Sequence, residues 1–150
     1  MAPALTNEQL IAAYAEASAR LDTATLARLR HPEWQVLWPQ SGEEVHSSEA
    51  FAEIVRNYPG GPGASEVTRV VGAEDRWVVT PGNTIVMVAG SGDFWWSEWR
   101  VRYPDGAVYL CVDLMEIRDA KIWRETVYWA SPFEAPAWRA PWVARGHATR

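Results

Sequence analysis

Three acidic residues in the second half of the chain stand where proton-transfer chemistry would need them. Glu98, Asp113 and Glu125 each interrupt an alternating, mostly apolar stretch. Side chains on a strand point to opposite faces in turn, so Asp113 shares a face with Tyr109, Cys111, Met115 and Ile117. The other face carries Val108, Leu110, Val112, Leu114, Glu116 and Arg118; neither is simply polar, so both sides of the sheet are expected to be covered. A carboxylate among Tyr, Cys, Met and Ile is partly desolvated, which raises its pKa and suits it to acid–base work near neutral pH. The structural alternative is that Asp113 pairs with an arginine or accepts bonds from Trp and Tyr. Upstream, Trp96, Glu98 and Arg100 share one face, and Trp95, Ser97 and Trp99 share the other. Glu125 alternates with Trp123, Val127 and Trp129, and a salt bridge to Arg100 or Arg124 would give it a purely structural role.

Other chemistries find little support. His31, His46 and His147 show no metal-ligand spacing, so no metal site is expected. His46 stands in a loop where it would serve as a proton shuttle or simply face solvent. The glycine-rich stretches Gly60-Gly61-Pro62-Gly63 and Gly90-Ser91-Gly92 lack a phosphate-binding fingerprint and read as turns. There is no Gly-x-Ser-x-Gly elbow, and Cys111 has no histidine at a telling spacing. No cofactor is expected.

The elements that must position these residues change period part-way along. Thr6-Asn7-Glu8-Gln9 fits a capping box, followed by Leu10, Tyr14, Ala17, Ser18 and Leu21 at helical spacing. Asp22 or Thr23 caps a short second helix through Leu26 and Leu29, which Pro32 ends. Glu33 to Trp38 reads as a short strand. Ser47-Ser48 caps a third helix that would bury Phe51, Ile54 and Val55 and stop at Pro59-Gly60-Gly61-Pro62-Gly63. From there the period is two: Val67 to Val71, Arg76 to Thr80, Thr84 to Ala89, Phe94 to Tyr103, Ala107 to Arg118 and Ile122 to Ala130 read as strands. Gly72, Pro81-Gly82-Asn83, Gly90-Ser91-Gly92-Asp93, Pro104-Asp105-Gly106 and Asp119-Ala120 would be the turns between them. Helices first and a meander afterwards argue an α+β fold with a curved antiparallel sheet. The segment 131–150 holds Pro132, Pro136 and Pro141 and cannot be a long helix; Trp138 and Trp142 are expected to pin it by aromatic contacts.

Composition narrows the class. The chain has 150 residues, the size of one ordinary domain, so 1–150 is read as a single unit. A net charge of -5 without any Lys/Arg cluster argues against a nucleic-acid partner. No apolar run approaches the ~20 residues a membrane helix needs. The first residues lack the pattern of a signal peptide, and one cysteine cannot form an internal disulfide, so a cytoplasmic location is expected. Ten tryptophans against three phenylalanines are unusual. Trp95, Trp99, Trp138 and Trp142 would make an outer sheet face suited to a dimer, Trp34, Trp38, Trp96, Trp123 and Trp129 would line a cavity, or all would be core.

The run Asp105-Gly106, Asp113 to Ile122, Glu125 and Tyr128 resembles the C-terminal half of SnoaL-like proteins of the NTF2-like superfamily. Pro39-Gln40-Ser41-Gly42-Glu43 and Pro132 to Arg139 extend the resemblance over nearly the whole chain. It implies a cone in which three N-terminal helices pack on a strongly curved antiparallel sheet, with a pocket inside the open end and often a dimer through the outer sheet face. It places the Asp113 face inside. Setting the Pro104-Asp105-Gly106 turn against limonene-epoxide-hydrolase-like members places Trp96, Glu98 and Arg100 inside as well. Trp96 and Val127 stand where those enzymes hold arginine and the water-activating aspartate, so epoxide opening by their route is not expected. The family turn that reads Asp-Gly is Asp119-Ala120 here, and a left-handed Ala120 would cost about 1 kcal/mol relative to Gly.

The resulting expectation is an acid–base enzyme without cofactor, an isomerase, cyclase, dehydratase or hydrolase, working on a small apolar metabolite. Asp113 would be its general acid or base, Glu98 its partner and Arg100 the orienting cation. Tyr14, Trp38, Trp96, Tyr109, Met115, Trp123 and Trp129 would bind substrate, although Tyr14 fits core packing as well. The rival expectation is a non-catalytic binding protein for a hydrophobic or cationic small molecule. Either would work as a homodimer.

Overall fold

The computed structural model describes residues 4–79 and 85–144. Helix α1 (Asn7–Ala19) starts on the expected box: the Thr6 side chain accepts from the Gln9 amide at 3.2 Å, and the Gln9 side chain accepts from the Thr6 amide at 3.0 Å. Its buried stripe is Leu10, Ile11, Tyr14 and Ala17. Helix α2 (Thr23–Leu29) is capped by Asp22 through the Thr25 amide. Strand β1 (Arg30–Trp38) follows without a loop and contains Pro32, at a register irregularity between Arg30 and Gln35 where a missing amide is tolerated. A turn at Gly42, with φ of 75°, leads to the short β2 (Glu43–Val45), and Ser47 caps α3 (Ser48–Arg56).

Strands β3 (Ala64–Val79), β4 (Ile85–Arg102), β5 (Val108–Arg118) and β6 (Lys121–Ala130) complete one six-stranded sheet in the order β2-β1-β6-β5-β4-β3. The meander is antiparallel as expected, but β1 pairs parallel to β6, so the sheet is mixed. The first strand enters the sheet from the helices rather than from a hairpin, and that crossover permits the parallel match. Two pairs of expected strands are single long ones. The glycines read as turns mark a register break instead: Gly72 pairs with Trp95, whereas Ala73 pairs with Gly90 and Ser91. A bulge of this kind bends both strands without ending them, and glycine tolerates its backbone. The Asn7 side chain donates to the Gly92 carbonyl at 3.1 Å, tying the start of α1 to that bend. The expected Pro81-Gly82-Asn83 turn and His147 lie outside the described residues.

Between the helices and the concave side of the sheet lies a core of Leu10, Ile11, Tyr14, Ala17 and Leu26 against Trp34, Val36, Trp95, Met115, Ile117 and Ile122. Each such side chain removed from water contributes roughly 1.5–3 kcal/mol. Helix α3 differs from its expectation: Phe51 and Val55 are only half-buried and Ile54 is exposed, because their stripe borders a cavity rather than solid core. The segment after β6 forms a 3-10 turn, Ala137–Trp142. It is not pinned by its aromatics, for Trp138 and Trp142 are 73% and 79% exposed. No helix among the described residues is long and apolar enough to cross a membrane.

Candidate functional site

A cavity of about 590 Å³ opens between α1, α3 and the concave face of β1, β4, β5 and β6. Most of its lining is aromatic or aliphatic. Along one side Tyr58 stacks on Tyr103 at 5.0 Å between centroids, Tyr103 meets Tyr109 edge-on at 5.5 Å, and Tyr109 meets Trp129 edge-on at 6.5 Å. Such mutual contacts fix ring orientations and present a rigid wall. Trp129 is held in turn by Gln40, whose side-chain amide donates to the Trp129 carbonyl and accepts from the Trp129 amide at 2.7 Å.

The floor is polar and dry. Pairing of Met115 with Glu125 and of Asp113 with Val127 brings both acids to the inner face of neighbouring strands. Glu125 Oε1 accepts from the Tyr14 hydroxyl at 2.5 Å and from Trp34 Nε1 at 2.6 Å, and Arg30 Nη2 lies 3.9 Å away. Arg30 Nε donates to the Tyr14 oxygen at 2.7 Å, so Tyr14 stands between cation and anion. The guanidinium lies over the rings of Trp34, 3.6 Å from its centroid, and Phe51, at 4.3 Å. Tyr14, Arg30, Trp34 and Glu125 are all buried, where such contacts are much stronger than in water.

Asp113 lines the same cavity and is 8% exposed. Burial, then the charge of Glu125 and a hydrogen bond with it, push its carboxyl well above the usual range, against a weaker pull from Arg30. The two acids therefore form a dyad in which the protonated form of Asp113 is favoured, since like charges this close cannot both be bare. Its Oδ1 is buried without a hydrogen-bond partner. Burial and the charge of Glu125 likewise push the Tyr14 hydroxyl far up. Cys111, beside Asp113 on its strand face, is pushed to about 12 by burial and by the Asp113 charge, which makes it a poor nucleophile.

Of the residues singled out from sequence, Asp113, Tyr14, Trp38, Tyr109 and Trp129 line the cavity together. Glu98, Arg100 and Trp96 do not. They pair with Val112, Leu110 and Leu114, on the outer face, and the inward residues of β4 are Trp95, Ser97, Trp99 and Val101. The five-residue turn at 103–107, closed by Tyr103 and Ala107, sets odd residues of β4 opposite odd residues of β5. The expected placement was one residue out of step, which inverts a whole strand. Trp95 and Trp99 accordingly face inward rather than outward. Trp123 is the extra residue of a bulge, since Glu116 pairs with Arg124 but Ile117 with Ile122. It leaves the inner face and lies instead between the guanidiniums of Arg118 and Arg124, at 4.3 and 3.9 Å. Met115 belongs to the core beneath the floor and does not reach the cavity. Glu125 takes its cation from β1, neither Arg100 nor Arg124.

Arg30 was not anticipated. Its strand was read as starting at Glu33, after Pro32; carrying the parity of Trp34 and Val36 back through the proline would have placed Arg30 inside. Among the described residues, no three His, Cys, Asp or Glu side chains converge as metal ligands. His46 is exposed and pairs with Glu44 at 3.1 Å.

No family model matches the chain, and none of the curated proteins matches it. Solved structures do. An NTF2-like protein of unknown function from Burkholderia xenovorans is 28% identical, with 94% of this chain and 95% of that one covered at a TM-score of 0.71. A candidate ketosteroid isomerase from Kribbella flavida is 18% identical, with 95% and 91% covered at 0.72. A hypothetical protein with a ketosteroid isomerase-like fold from Catenulispora acidiphila, in complex with trimethylamine, is 14% identical, with 83% and 86% covered at 0.55. Through a fold common to all three and a likeness to the first that runs nearly end to end, the chain belongs to the NTF2-like superfamily.

Proposed function

We propose that the chain is an acid–base enzyme of the isomerase, cyclase, dehydratase or hydrolase kind, acting on a small, largely apolar molecule held against the aromatic wall. One observation carries the reading: Asp113 is buried on the floor of a 590 Å³ cavity, beside Glu125, and biased toward its protonated form. A buried acid held in its protonated form can give a proton to a ligand and take it back, a contribution of typically ~10²–10⁴-fold to a rate. Glu125 is its positioning residue. With Tyr14, Trp34 and Arg30 around it, Glu125 holds the negative charge of the dyad, so that Asp113 exchanges its proton without leaving two bare anions side by side. The description of the Kribbella protein belongs to the same class of chemistry.

The test is incubation with a panel of ring-bearing metabolites, followed by mass spectrometry. Turnover by the wild-type protein that falls about 100-fold in Asp113→Asn is the expected result. Undiminished turnover in that variant overturns the reading.

A second reading is a binding protein for a hydrophobic or cationic small molecule. The extent of the aromatic wall favours it, as does the trimethylamine held by the Catenulispora protein. Saturable quenching of tryptophan fluorescence, with no product from any ligand that binds, would decide for it.

A further inference from the structure

We infer that the cavity selects neutral ring-bearing molecules whose polar end is a hydroxyl, which donates to Asp113 and accepts from Arg30. The inference rests on the cavity being the ligand site, as proposed above, and names the class of molecule it takes.

The polar groups of the floor are nearly all used by one another. Tyr14 donates to Glu125 and accepts from Arg30, and the Trp34 indole donates to Glu125. Two atoms are left over, on two side chains that line the same cavity: Asp113 Oδ1 and Arg30 Nη1, both buried and both without a hydrogen-bond partner. Leaving such groups unpaired is costly, and more so where a charge is involved. The first accepts a hydrogen bond and the second donates one. A ligand group that serves both must itself donate and accept. A hydroxyl does so with one atom; a ketone or ether serves only Arg30.

Charge argues for neutrality. Arg30 and Glu125 face each other at 3.9 Å with Tyr14 bridging them, so the floor already holds a balanced pair. A second anion would meet both carboxyl groups of the dyad. A cation would meet Arg30, whose guanidinium already occupies the ring faces of Trp34 and Phe51 that would otherwise attract it.

The indane skeleton provides matched probes small enough for the cavity. Calorimetric titration at pH 7 with 2-indanol, 2-indanone and 2-aminoindane should show 2-indanol binding at least tenfold tighter than either of the others. Asp113→Val, which offers no acceptor, should narrow the alcohol-to-ketone ratio to below threefold. Asp113→Asn, whose amide oxygen still accepts, should keep it. Circular dichroism checks that both variants fold. The inference fails if 2-indanone binds the wild-type protein within threefold of 2-indanol, if 2-aminoindane binds tighter, if the preference survives in Asp113→Val, or if none of the three binds. Alcohol preference without turnover of any metabolite keeps the ligand class and removes the enzymatic reading. Turnover confined to charged substrates does the reverse.

Discussion

Asp113 and Glu125 illustrate how one strand pairing assigns different work to two acids of similar chemistry. Glu125 receives two short hydrogen bonds on one oxygen and stands near a guanidinium, an environment built for an anion. Asp113 has burial and the neighbouring charge against its ionisation. The consequence for stability has a definite sign. In the unfolded chain an aspartate titrates near ~3.9. In the folded protein its pKa is raised, so the native state binds this proton more tightly. The stabilisation is complete below the unfolded pKa and is lost as pH rises through the folded one. Asp113→Asn keeps the shape without the titration, so its Tm relative to the wild-type protein should climb as pH rises above the unfolded value and level off once the folded one is passed. A constant difference as pH rises above the unfolded value would show that Asp113 does not hold its proton in the folded state.

Strands and turns decide which side chains meet, and here small offsets had large effects. The α+β order and the capping box were legible because each rests on local chemistry or simple alternation, whereas alternation only grouped the residues of β5 and the family resemblance chose the Asp113 face as the inward one. The face of β4 was not, since it depends on counting through the turn at 103–107, where a step of one residue exchanges Glu98 for Ser97 and Trp99. Alternation also failed at Trp123, because a bulge adds a residue that no periodicity announces. Arg30 was hidden behind Pro32, which ends a helix but in this fold sits inside a strand. The turn between β5 and β6 was legible in its strain. Asp119 and Ala120 adopt φ of 51° and 55°, the left-handed backbone expected for Ala120. Ala120→Gly should therefore stabilise the fold by up to about 1 kcal/mol, partly offset by the greater freedom of glycine in the unfolded chain. Calorimetry should record a Tm higher by about 2–4 °C at most. A lower Tm would mean that the alanine methyl makes contacts worth more than the strain.

At the scale of the whole molecule, the inner and outer faces of the sheet carry different kinds of apolar surface. Inside, the aromatic lining is held in place by ring contacts and by Gln40, and it surrounds a void. Outside, Leu110, Val112 and Tyr128 form a patch across β5 and β6, where Val112 pairs with Tyr128. The segment that follows β6 also exposes Phe133, at 80%, together with Trp138 and Trp142. Exposed apolar groups on neighbouring strands, like those of β5 and β6, mark an interaction surface more often than bare solvent. The expected partner is a second copy of the chain, because a two-fold contact lets one patch cover its twin. Static light scattering at 10–100 µM should then give twice the chain mass, and Val112→Glu, which sets a charge at the centre of the patch, should return the single-chain mass. The same variant should bind cavity ligands as the wild-type protein does, since Val112 points away from Asp113 across the thickness of the strand. A wild-type protein that scatters as one chain throughout that range would leave the outer patch without this partner, while the cavity and its dyad would be unaffected.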